Sequence, residues 1–106
     1  MAQFDVHRNL GRHKDAIPFV VVIQSSQFDD YRRRVVVPLV RASVLGKPVL
    51  PHFNPTFRVR ATAVVLHPLE IVSVPSDMLG PKVGSLSAEG ERIIAALDEL
   101  LSRACK

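Results

Sequence analysis

The 106-residue chain contains no tryptophan, one tyrosine and one cysteine. A single cysteine excludes an internal disulfide and is typical of a protein that folds in a reducing compartment. The longest apolar runs, at 19–23 and 35–40, are far shorter than the ~20 residues that a membrane-spanning helix needs. The first residues also lack the charged-then-apolar pattern of a secretory signal. We therefore expect a cytoplasmic protein without membrane contact.

Catalytic and metal-binding motifs are absent as well. The sequence has no glycine-rich phosphate loop, no nucleophile elbow and no His-Glu-x-x-His pair. The spacing of His7, His13, His52 and His67 is not typical of a zinc site, and Cys105 lies too far along the chain to complete one. We expect no cofactor, no metal ion and no enzymatic activity.

The formal net charge of +4 is unevenly distributed. Residues 1–60 contain ten Lys/Arg and four Asp/Glu, whereas residues 61–106 contain four and six. The densest run is Arg32-Arg33-Arg34. Such a run can bind an acidic protein or nucleic-acid phosphates. The alternative is a solvated turn whose charges prevent edge-to-edge strand pairing.

Short alternating or β-branched segments predict a β-rich body. In the first segment Phe4 and Val6 share a face, and Phe19 to Ile23 is typical of a buried central strand. Pro38 is expected near the end of its strand because proline cannot donate to a ladder. A segment rich in proline and glycine, 46–55, is predicted to be a loop. The predicted strands are 3–7, 19–23, 34–39, 57–64 and 69–74, which favours a small barrel or sandwich.

The apolar period becomes helical after Leu86. Ser87 is the predicted N-cap, and Glu89 and Glu91 lie where the helix dipole favours negative charge. Gly90 costs about 1 kcal/mol relative to alanine in a helix interior, so packing must stabilise this element. The predicted apolar stripe comprises Ile93, Leu97, Leu100, Leu101 and Ala104. We expect one domain over 1–106, with a β-rich body at 1–86 and a C-terminal helix at 87–104.

Several short motifs, in the same order along the chain, resemble the CcdB family, the toxins of plasmid and chromosomal toxin–antitoxin pairs that poison DNA gyrase. Together they span nearly the whole chain. They are Gln3-Phe4-x-Val6, Ile23-Gln24-Ser25 before an acidic turn, Arg33-Arg34 with Pro38-Leu39, Ser73-Val74-Pro75, and Leu86-Ser87 ahead of Ile93 and Leu97.

This resemblance implies a mainly β fold: an SH3-like small β-barrel with an additional small sheet and a C-terminal α-helix, assembled as a homodimer. It implies a plasmid-maintenance toxin that inhibits DNA gyrase by binding gyrase A. It also implies a CcdA-like antitoxin whose disordered arm wraps the dimer. The toxin would then contact nucleic acid only indirectly, through a toxin–antitoxin–operator complex.

The resemblance also assigns site residues. Gyrase binding is implied for a loop and for the end of the helix, namely Ser25, Phe28, Asp98, Leu101, Ser102, Arg103 and Ala104. The alternatives to gyrase contact are purely structural roles: Ser25 forms a turn, Phe28 lies in the core, and the helix face is exposed to solvent. Antitoxin binding is predicted, more weakly, for Arg32, Arg33 and Arg34.

The tip of the helix departs from the family pattern. The family ends in Trp-Gly-Ile, whose aromatic ring stacks on an arginine of gyrase A. Here Ser102, Arg103 and Ala104 stand at those positions and the chain continues to Lys106. The resemblance therefore implies weakened or altered gyrase binding.

Two other functions remain open from the sequence. The MazF/Kid ribonucleases resemble CcdB in fold, and His7, Asp29 and Arg32 to Arg34 could supply groups for acid–base cleavage of RNA. The other is a degenerate relative that retains the dimer and antitoxin binding but has lost its target.

Overall fold

The computed structural model describes residues 2–46 and 50–102. Within them, seven strands form one curled antiparallel sheet in the order β4-β5-β3-β2-β1-β7, with β6 paired to β3. The strands are β1 (Asp5–Asn9), β2 (Phe19–Val22), β3 (Arg33–Arg41), β4 (Thr56–Val59), β5 (Thr62–Leu66), β6 (Val72–Pro75) and β7 (Leu79–Ser85). A short helix, α1 (Ala42–Leu45), follows β3, and α2 (Gly90–Ser102) follows β7. The predicted mainly β fold with a C-terminal helix is confirmed.

Strand β3 is the long central strand, and it changes partner along one edge. Its first part, 33–36, pairs with β6, and its last part, 39–41, pairs with β5. Pro38 lies between these two parts and pairs with Val20 of β2 on the other edge. Pro38 was predicted near the end of its strand, and β3 continues for three residues beyond it, to Arg41. The ladder toward β5 and β6 is interrupted beside it, which is a position where a proline is tolerated inside a strand.

The predicted strand at 57–64 is instead a hairpin of β4 and β5. Its two-residue connection is Arg60-Ala61, with φ of 50° and 64°. Hairpin turns with positive φ at both central residues usually carry Asn-Gly or Asp-Gly, so these residue types carry no turn signal. Arg60 Nε donates to the Val83 carbonyl oxygen of β7 at 3.0 Å. This bond joins the hairpin to the opposite end of the curled sheet.

The central strands are buried on both faces, which explains their continuous apolar sequences. The larger core lies inside the curl, where α2 contributes Ile93 and Ala96. A smaller cluster on the other face comprises Val20, Val22 and Val36, against which Val74 and Leu79 pack. The prediction of a buried central strand beginning at Phe19 is confirmed.

The N-terminal segment packs against the first residue of α2, and its strand begins later than predicted. Phe4 has φ of 71° and lies in a turn, so β1 begins at Asp5, two residues after the predicted start at Gln3. A Cβ on Gly90 would lie 2.7 Å from Cε2 of Phe4. The glycine inside the predicted helix is therefore explained by the close approach of this ring.

The start of the C-terminal helix differs in detail from the prediction. Residues Ser87–Glu89 form one 3-10 turn, and the α-helix itself begins at Gly90. Ser87 is not the cap, because Leu86 occupies the cap position without a side-chain hydrogen bond. The predicted strand at 69–74 is also shorter, since Pro68–Glu70 form a 3-10 turn before β6. No helix in the described part of the chain is long and apolar enough to cross a membrane.

Candidate functional site: a loop groove and a helix groove

The loop between β2 and β3 exposes two aromatic side chains. Ser25 Oγ accepts a hydrogen bond from Gln27 N–H at 3.4 Å and caps the 3-10 turn Ser26–Phe28. A second turn follows, in which Tyr31 N–H donates to the Phe28 carbonyl oxygen at 3.0 Å. Phe28 is 54% exposed and Tyr31 is 56% exposed. Ser25 is thus a turn-former, and Phe28 is not a core residue.

Gln24 fixes the loop from one side. Its Nε2 donates to the carbonyl oxygens of Phe28 at 3.0 Å and of Arg33 at 3.3 Å. Its Oε1 accepts a hydrogen bond from Val35 N–H at 3.0 Å. One side chain therefore joins the first turn of the loop to the start of β3.

Arg34 fixes the loop from its buried side. The residue is buried, and its guanidinium donates to the carbonyl oxygens of Asp29 at 2.6 Å and Arg33 at 2.9 Å, and to that of Tyr31. Hydrogen bonds from a charged donor are stronger than those from a neutral one. Arg34 was predicted to contact the antitoxin. Its guanidinium instead donates hydrogen bonds to the backbone of the loop.

The other two arginines of the run have different surroundings. Arg33 donates to Ser73 of β6, through Nε to Oγ at 3.0 Å and through Nη2 to the carbonyl oxygen at 2.7 Å. Arg32 is exposed, and its guanidinium carbon lies 5.6 Å from the centroid of the Tyr31 ring. The three arginines of the densest charge run therefore have three separate structural roles.

The exposed side of this loop forms a groove of about 570 Å³, the loop groove. Its apolar lining comes from Phe28, Tyr31 and Val35, and its polar lining from Gln24, Gln27 and Asp30. Asp30 is exposed. Its carboxylate has no hydrogen bond or ion pair with any residue in the described ranges.

A second groove of about 490 Å³, the helix groove, lies beside α2. Glu91, Ile94 and Asp98 share this helix face at spacings of three and four residues, and Ile94 is 41% exposed. Leu101 is 74% exposed and Ser102 is exposed at the end of α2. The predicted apolar stripe is wrong at Leu101. Arg103 and Ala104 lie outside the described residues.

The two grooves are neighbours. Gln3 lines the helix groove, and its Nε2 donates to the carbonyl oxygen of Ile23 at 3.0 Å. The next residue, Gln24, lines the loop groove. The fold therefore brings two sequence-distant segments, the loop of Ser25 and Phe28 and the helix of Asp98, to adjoining surfaces.

Sequence reasoning missed the other residues of these grooves. Tyr31 and Asp30 carry a signal that could have been found, because Phe28-x-x-Tyr31 surrounds two aspartates after a serine-rich turn. Glu91 and Ile94 carry no comparable signal. Their exposure depends on which helix face packs against the sheet.

The residues considered for RNA cleavage do not form one site. His7 is buried on β1, with Nδ1 2.9 Å from the Gly80 carbonyl oxygen, and it lines neither groove. Asp29 lies in the loop, where its backbone accepts from Arg34. Over 2–46 and 50–102, no group of three or more His, Cys, Asp or Glu side chains could hold a metal ion.

Comparison with known proteins gives one informative result. No curated protein matches the sequence. A family model described as "CcdB protein" matches residues 3–102, which is nearly the whole chain. The match includes the loop groove, the helix groove and the described part of the helix end, and it confirms the resemblance. The chain belongs to the CcdB family.

Proposed function

We propose that this chain is the toxin of a type II toxin–antitoxin pair and that it inhibits DNA gyrase by binding gyrase A in the cytoplasm. The proposal is supported by family membership and, above all, by the adjacency of the loop and helix grooves. Of the residues that the family resemblance assigns to gyrase contact, Phe28 lines the loop groove and Asp98 lines the helix groove. The inhibition is by protein–protein binding and not by catalysis.

The helix end limits the affinity of this interaction. Ser102 offers no aromatic ring, and Arg103 brings a positive charge toward a partner arginine. Loss of a desolvated cation–π contact is worth about 2 kcal/mol. We therefore expect weaker binding to the gyrase that a typical family member inhibits, with the loop groove supplying a larger share of the contact.

The antitoxin binds through the arginines next to the loop groove, and the toxin acts as a homodimer. A CcdA-like antitoxin carries an acidic arm, for which the exposed Arg32 and the neighbouring Arg33 supply positive charge. Arg34 contributes indirectly, by fixing the loop that carries them. Contact with nucleic acid occurs only through the toxin–antitoxin–operator complex, and the membrane is not involved.

Calorimetric titration of the full chain with a gyrase A fragment tests the proposal, together with an assay for gyrase–DNA cleavage complexes. Phe28→Asp should abolish binding, because it places an unpaired charge in the loop groove. Val44→Asp is the matched control, since Val44 is 60% exposed on α1, which follows the opposite end of β3. Equal loss from both variants, or no binding of the unaltered chain to its own gyrase, contradicts the proposal.

A second titration addresses the helix end. Ser102→Trp, Arg103→Gly and Ala104→Ile are combined with deletion of the last two residues. The grafted end should tighten binding to the usual gyrase of the family by about tenfold or more. RNA cleavage by the unaltered chain would favour the ribonuclease alternative. Antitoxin binding without gyrase binding would favour the degenerate one.

A further inference from the structure

We propose that the loop groove binds the side chain of an arginine presented by a protein partner. The guanidinium would lie between the rings of Phe28 and Tyr31 and the carboxylate of Asp30. The inference deepens the proposed function, since it concerns the same surface. It rests on the chemistry of the groove and does not require that the partner be a topoisomerase.

The two aromatic rings of the loop groove are exposed on a loop whose backbone is fixed. Phe28 and Tyr31 are each more than half exposed. The loop that carries them is fixed by the side-chain hydrogen bonds of Gln24 and Arg34 to its backbone. A pre-organised aromatic pair loses little conformational entropy on binding, and such residues often dominate the energy of an interface.

The electrostatic character of the groove favours a cation. The face of an aromatic ring attracts cations, and Asp30 adds a full negative charge with no partner in the described part of the chain. The neighbouring helix groove continues this character through Glu91 and Asp98, for which the described residues likewise supply no ion pair. A protein with net charge +4 therefore presents an acidic and aromatic surface here.

The groove fits an arginine side chain better than a lysine side chain. A planar guanidinium can stack on a ring and bind a carboxylate at its edge, which an ammonium group cannot do. Tyr31 already accepts one guanidinium, that of Arg32, at 5.6 Å from the ring centroid. Tyr31 lines the groove and Arg32 does not. Val35 and Phe28 provide apolar contact for the aliphatic part of the incoming side chain.

The test uses the full chain and a small probe, acetyl-arginine amide. Tyr31 is the only tyrosine and the chain has no tryptophan, so the tyrosine ring resonances in NMR report on this groove alone. At constant ionic strength, millimolar arginine amide should shift the Tyr31 ring signals in a saturable way. Acetyl-citrulline amide, which has nearly the same shape without the charge, should shift them far less.

Two variants give the matched comparison. Asp30→Asn removes one charge at nearly constant shape and should weaken probe binding about two- to fivefold, as expected for an exposed ion pair. Asp77→Asn changes an exposed carboxylate in the 3-10 turn Ser76–Met78 and should leave probe binding unchanged. Circular dichroism of both variants establishes that they are folded.

The outcomes separate the inference from the proposed function. No saturable shift with arginine amide, or an equal response to citrulline amide, overturns the inference even if the chain binds gyrase. Binding of arginine amide that is insensitive to Asp30→Asn, or weakened equally by Asp30→Asn and Asp77→Asn, also overturns it. Selective, Asp30-dependent binding by a chain that fails to bind gyrase sustains the inference and refutes the gyrase proposal alone.

Discussion

Replacement of Gly90 by alanine measures how tightly the N-terminal segment is packed on α2. In an open helix this change stabilises by about 1 kcal/mol. Here the new Cβ would lie 2.7 Å from Cε2, 3.2 Å from Cδ2 and 3.3 Å from Cζ of Phe4. The ring cannot withdraw with its backbone, because Phe4 N–H donates to the Val22 carbonyl oxygen and the Phe4 carbonyl oxygen accepts from Leu86 N–H.

The magnitude follows from these two opposing terms. Overpacking of a filled site costs about 1–3 kcal/mol, and the gain in helix propensity is smaller at the first residue of a helix than in its interior. We therefore expect Gly90→Ala to lower the free energy of unfolding by about 1–2 kcal/mol. For a domain of this size, each kcal/mol corresponds to a decrease in Tm of roughly 4–8 °C.

Gly84→Ala is the control, because no atom lies within 4 Å of the Cβ that would be added there. It should leave Tm unchanged or raise it slightly, since alanine restricts the unfolded chain. Phe4→Leu combined with Gly90→Ala should recover part of the loss, with a coupling energy of about 0.5 kcal/mol or more. A Gly90→Ala protein as stable as the Gly84→Ala protein, with no coupling to Phe4, would refute this reasoning. Thermal unfolding followed by circular dichroism decides it.

Three further predictions concern the turn, the loop and the arginine run. Ala61→Gly should raise the free energy of unfolding by about 1 kcal/mol, because φ of 64° is unfavourable for alanine, and urea unfolding measures it. Arg34→Met should lower the same quantity by about 2–4 kcal/mol, because the loop carbonyls lose a charged donor; an unchanged urea midpoint would contradict this. Arg32→Glu with Arg33→Glu should weaken antitoxin binding, and the affinity of the unaltered chain should fall as salt rises. Antitoxin affinity unchanged at low salt would leave these arginines without that role.

The sequence predicted those strands whose apolar character is continuous. Phe19 to Ile23 is β-branched and short, and such a run has few alternatives to a buried strand. The hairpin at Arg60-Ala61 could not be predicted, because the alternation of polar and apolar residues continues through the turn. Its positive φ values are imposed by the pairing of the two strands and are not favoured by these residue types.

In the candidate site, too, the sequence predicted some of the residues but not the geometry that brings them together. Phe28 and Asp98 were assigned through family resemblance, and the structure places their segments side by side. The loop groove depends on the second turn of the loop and on the burial of Arg34. The helix groove depends on the orientation of α2. Each is a tertiary effect, so the sequence pattern alone could not show that Tyr31 and Asp30 face the same groove.

The pairing of the first strand with the last has a consequence for synthesis of the protein. Strand β1 lies between β2 and β7, and Phe4 packs against the first residue of α2. The N-terminal segment, although made first, therefore has no complete packing partner until residues 79–90 have been translated. Contacts of such long sequence separation form late in folding. A translation product that ends before β7 lacks the strand that pairs with the outer edge of β1 and the helix that packs on Phe4.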